Sequence, residues 1–105
     1  MSYIGLRNAS LALGELEATP KYRALSASGR SRRFNSFRQR VEMIRNRCLA
    51  NLLTADETQD VRSQLKALRA DCRGPLLGGC RWFIDRALRE IGQAAPILIL
   101  PQPLL

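Results

Sequence analysis

The chain has 105 residues, 46% hydrophobic and 25% charged, with 17 Lys or Arg against 9 Asp or Glu and no histidine. That length holds one small domain with a modest core, and the balance of apolar to charged residues argues against wholesale disorder. The missing histidine removes the commonest general base, the usual nucleophilic triads and most transition-metal sites, so neither an enzyme nor a cofactor is expected.

Leu, Ala and Arg abound while aromatic residues make up only 6%, which favours an all-α fold: a small bundle of four to five short helices over residues 1–93. The first helix lies in NASLALGELEA, with Leu13 and Leu16 facing inward and Gly14 as a weak point. The second opens at Thr19 as N-cap with Pro20 in the first helical position, where its missing N–H costs nothing, and stops near Gly29. The third, SRRFNSFRQRVEMIRNRCLANLL, is the longest. Phe34, Phe37, Val41, Ile44 and Cys48 recur along it at spacings of 3, 4, 3 and 4, a heptad seam over two repeats.

Thr54 and Glu57 form a capping box at the start of the fourth helix, where Asp56, Glu57 and Asp60 suit the positive end of the dipole. Val61, Leu65, Leu68 and Cys72 make its apolar stripe, and Gly74 and Pro75 stop it. The last helix follows, with Leu77, Cys80, Ile84, Leu88 and Ile91 as its stripe and Gly92 as its stop. Its start is blurred by Gly78 and Gly79.

The positive charge is local. Nine basic residues and one acid, Glu42, fall between Lys21 and Arg47, so that segment carries the whole net charge of +8. Arg33, Arg40 and Arg47 stack in one row on the third helix and Arg38 and Arg45 in another, at the g and e edges of the seam. Arginines at those edges meet whatever packs on the seam. Two kinds of partner fit: the chain's own Asp56, Glu57 and Asp60, or an external acidic surface on a protein or nucleic acid. Arg30, Arg32 and Arg33 crowd the start of the same helix, where free N–H groups would help them hold phosphate or carboxylate.

Trp82 falls about 160° from Ile84 on the last helix, at about 100° per residue, beside Asp85, Arg86 and Arg89. It is either covered by the first helix or the tail, or it is an interface anchor. Residues 94–105 carry prolines at 96, 101 and 103 and are expected to form an extended apolar arm, with Ile97, Leu98, Ile99 and Leu100 able to add as a strand to a partner.

Cys48, Cys72 and Cys80 are an odd set with no secretory signal before them, so they read as reduced core thiols. The compartment expected is intracellular and reducing, or the inside of a virion. The longest aliphatic run is four residues against roughly 20 for a membrane span, so no membrane partner is expected. These features point first to a non-enzymatic structural or adaptor protein that docks onto partner subunits of a larger assembly, such as a viral particle, through a basic helix and a C-terminal arm. The partner would be a protein with an acidic surface, or a second copy of the chain. The first alternative is a nucleic-acid-binding protein that contacts phosphates through residues 21–47; the second is a small inhibitor filling an acidic or nucleic-acid-binding groove.

Overall fold

Backbone placement is described for residues 4–50 and 53–99 in a computed structural model, and side chains for 5–50 and 53–92. The helices are α1 (Ile4–Glu17), α2 (Pro20–Ser28), α3 (Arg32–Leu49), α4 (Ala55–Ala70), the single-turn α5 (Gly74–Leu77) and α6 (Arg81–Ile99), with a 3₁₀ turn over Gly78–Cys80. Among the described residues there is no strand.

Local chemistry accounts for most of these boundaries. Ser31 caps α3 by accepting a 3.1 Å hydrogen bond from the Phe34 N–H. At α4 the capping box closes in both directions: Thr54 N–H donates to Glu57 Oε1 at 2.9 Å and Glu57 N–H to Thr54 Oγ1 at 3.1 Å. Thr19 has the extended backbone of an N-cap, but its hydroxyl turns back to donate to the Leu16 carbonyl at 2.8 Å. Gly29, with φ of 62°, ends α2 in the left-handed conformation that glycine adopts without steric cost. Gly74 has φ of 75° and turns the chain after α4. Pro75 then begins a new turn of helix rather than only ending the old one.

Four long helices make the bundle, each antiparallel to its neighbours. Asn8 Nδ2 donates to Glu90 Oε1 at 3.1 Å and Arg86 Nη1 to Glu15 Oε1 at 2.6 Å, so α1 and α6 run in opposite directions. Arg47 meets Asp60 and Arg33 approaches the Asp71 carbonyl, which fixes α3 against α4 the same way. Arg69 meets Asp85, and Arg62 lies beside Gly92, so α4 and α6 are also antiparallel. The ring closes where α1 packs on α3. The order is up, down, up, down, the simplest bundle topology, and it places α2 and α5 at the same end.

The core is continuous. Leu13, Leu16, Phe34, Phe37, Ile44, Leu65, Leu68, Leu77 and Ile84 are its largest buried side chains, each worth about 1.5–3 kcal/mol relative to exposure. The α3 seam belongs to this core: Phe34, Phe37, Val41, Ile44 and Cys48 are all at most 2% exposed. Within the chain its apolar face is covered by α1 and α4. The stripe of α6 centres on Ile84, Ala87 and Ile91, in line with Cys80 of the 3₁₀ turn; Leu88 is only half-buried.

The expectation of an extended arm beginning at residue 94 is corrected over 94–99, where α6 continues through Pro96 to Ile99. A proline inside a helix removes one hydrogen bond and crowds the preceding turn, which strains or kinks a helix without necessarily ending it. Gln93, Ala94 and Ala95 just before it are good helix formers. Ile97, Leu98 and Ile99 are thus on the helix, and Leu100 lies outside the described residues.

Candidate functional site

The two arginine rows sit at the edges of the seam, as their spacing predicts, and most of their members find carboxylates of the same chain. Arg40 pairs with Asp71, the C-cap of α4. Arg47 Nη1 lies 2.8 Å from Asp60 Oδ2 and 3.0 Å from Gln64 Oε1. Arg45 Nε lies 2.7 Å from Glu17 Oε1 on α1. Of the three acids expected to receive the rows, only Asp60 does so. Glu57 is held by its cap, whose Thr54 hydrogen bonds keep its carboxyl below the usual range. Asp71 and Glu17 take the places of the other two.

Arg38 differs from the rest of its row. Its Nε is buried without a protein partner, and so is the hydroxyl of Tyr22, a residue only 4% exposed. Both residues line an open cleft with Glu17, Arg23, Ser26 and Glu42. Burial, reinforced by the nearby carboxylates of Glu17 and Glu42, raises the Tyr22 phenol well above its ordinary value. Burial likewise lifts Glu17, partly opposed by Arg45.

The remaining cations gather at the end of the bundle that carries α2 and α5. Lys21, Arg23, Arg30, Arg32 and Arg33 come from α2 and the start of α3, and Arg73 and Arg81 from either side of α5; all seven are exposed. Lys21 Nζ donates to the Pro75 carbonyl at 2.6 Å and ties the two groups together. Of the acids near them among the described residues, Asp71 is engaged by Arg40, Asp85 by Arg69 and Glu17 by Arg45, and Glu42 shares a cleft with Arg23. The other end carries Asp56, Glu57, Asp60 and Glu90 together with Arg7, Arg47, Arg62 and Arg89, so its charges balance. The excess positive charge is therefore concentrated at the end that carries α2 and α5.

Trp82 stands in the first turn of α6 at this basic end and is 58% exposed. Neither α1 nor any other described element covers it. Its ring meets Phe83 edge-on at 4.9 Å, with the Arg86 guanidinium 5.8 Å from its centre. Phe83 in turn lines an apolar cleft of about 160 Å³ with Lys21, Tyr22, Leu25 and Leu76. That cleft joins the aromatic pair to the basic cluster.

Sequence reasoning placed Arg30, Arg32, Arg33 and Trp82 among the candidates but missed Arg73 and Arg81. Counting helices would have found them, since in an alternating bundle the α2–α3 and α4–α6 connections fall at one end. The three cysteines are free and buried, as expected of core residues; burial pushes the thiols up, to about 11 for Cys48 and about 12 for Cys72. Among the described residues no three His, Cys, Asp or Glu side chains cluster as metal ligands, and no helix is long and apolar enough to cross a membrane. Compared with known proteins, the chain matches no family model, no curated protein and no solved structure.

Proposed function

We propose that this is a non-enzymatic binding protein that engages the phosphate backbone of a nucleic acid through its basic end. The observation that carries the proposal is the gathering there of Lys21, Arg23, Arg30, Arg32, Arg33, Arg73 and Arg81, all exposed and none in a salt bridge among the described residues, while the neighbouring Asp71, Asp85 and Glu17 are each paired with another arginine. Charges left without an internal partner keep their field in solvent and attract a polyanion, and arginine offers a planar fork suited to phosphate oxygens. The α3 rows argue less for an external partner than their number implies, because Arg40, Arg45 and Arg47 already face carboxylates.

The adaptor role is the second reading, supported by the exposure of Trp82 at 58%, the type of residue that anchors protein interfaces. Salt dependence separates the two. Binding of a fluorescent oligonucleotide followed by anisotropy should weaken with log salt by about 0.7–0.9 per neutralised phosphate. The double variant R32E/R81E, which takes one residue from the start of α3 and one from the start of α6, should bind far more weakly with unchanged helicity. Equal binding of polyglutamate would favour an acidic protein partner, and no binding of either polymer at low salt would remove the proposal.

A further inference from the structure

Resting on the nucleic-acid reading, the geometry points to a single strand as the ligand, with Trp82 as the platform on which an unpaired base stacks. An exposed tryptophan is costly to leave in water, and nothing among the described elements shields this one. Two neighbours contact it on its own helix. Phe83 braces its edge at 4.9 Å with the rings nearly perpendicular, at 86°, and the Arg86 guanidinium lies 5.8 Å from its centre. Arg86 is itself held by Glu15 of α1 at 2.6 Å. The indole is thus contacted by Phe83 and Arg86 and still has most of its surface open.

Its position relative to the charges decides the ligand class. Arg81 precedes it in the chain, and Lys21 stands across the cleft that Phe83 lines. A base stacked on Trp82 therefore has Arg81 next to it in the chain and Lys21 beyond Phe83 for the phosphates that flank it. Arginines that track a backbone, combined with an aromatic face for a base, are the features that hold single strands without reading sequence. A duplex keeps its bases stacked on one another and offers Trp82 only its outer edge, so duplex binding would use the cations and leave the indole idle.

Trp82 is the only tryptophan, which makes its emission a direct report on this site. Titrating the protein with single-stranded oligothymidylate should quench that emission, while a duplex of equal length should leave it nearly unchanged. By anisotropy, W82A should weaken oligothymidylate binding about tenfold, and W82F should recover most of the loss, because a base stacks on either aromatic ring. Duplex affinity should be the same in all three proteins. Trp82 is exposed, so circular dichroism should show both variants as helical as the parent. Oligothymidylate that binds without quenching, with W82A equal to the parent, would overturn the stacking role while leaving the phosphate-binding function standing. Loss of binding to single strand and duplex alike in W82A would also overturn it, and polyglutamate quenching as strongly as oligothymidylate would assign the platform to an acidic protein.

Discussion

The arginines along α3 and those at its start are the same residue type set to opposite uses. Arg40, Arg45 and Arg47 are half-buried and spend their charge on Asp71, Glu17 and Asp60. Arg30, Arg32 and Arg33 are exposed, and Arg33 reaches only a backbone carbonyl, at 3.5 Å. The shaft of the bundle uses arginine as edging around a core, whereas the end uses it as field. Net charge by segment cannot separate these, since both sets fall in the same stretch; what separates them is the carboxylate that the fold brings across from another helix.

The largest effect should come from the core of the shaft. Phe37 is 2% exposed, and Phe37→Ala should cost about 3–5 kcal/mol by denaturant unfolding. That loss should be the same at every protein concentration, because the seam is closed within one chain. A loss that shrinks as the protein is concentrated would mean that the seam is shared between chains.

Reversing Arg40 and Arg47 to Glu should lower the melting temperature modestly, and reversing Asp71 and Asp60 to Arg in the same protein should restore part of it. Exposed pairs of this kind contribute about 0.2–1 kcal/mol each, and the cycle isolates that share. Tyr22→Phe should be neutral or stabilising, by up to about 1 kcal/mol, because it removes a buried hydroxyl that has no protein partner. Clear destabilisation by this variant would show that the hydroxyl is satisfied.

The smallest effects are in the pH dependence. The Glu57 carboxyl is lowered by its cap, so it adds stability above its unfolded value that is lost as pH falls through the folded one. Glu17 is raised, mainly by burial, and has the opposite sign: stability falls as pH rises from its unfolded value through the folded one. Urea midpoints across the carboxylate range should therefore lose their acid-side drop in Glu57→Gln and their opposing decline in Glu17→Gln.

Much of the shaft was legible in the sequence. Thr54 and Glu57, Pro20 and Gly29 mark helix ends by local chemistry alone, and the spacing of Phe34 to Cys48 names a buried face. The partners of that face were not legible, because a heptad pattern is the same whether its complement lies in another chain or two helices away. Arg73 and Arg81 were hidden for a related reason: they join Lys21 only through the alternation of the bundle, a long-range property. At the C-terminus the prolines outweighed the helix formers Gln93, Ala94 and Ala95 in the sequence pattern, and α6 nevertheless runs to Ile99.

The most direct measurement compares two neutralised triples, R30Q/R32Q/R33Q and R40Q/R45Q/R47Q, in the slope of log affinity against log salt for one oligonucleotide. Both triples remove the same charge from the same helix and its approach. The first should reduce the magnitude of the slope by about 2–3 with little change in melting temperature, and the second should lower the melting temperature with little change in slope. Equal loss of slope from both triples would contradict the division between paired shaft and open end, and a slope lost only in the second would reverse it.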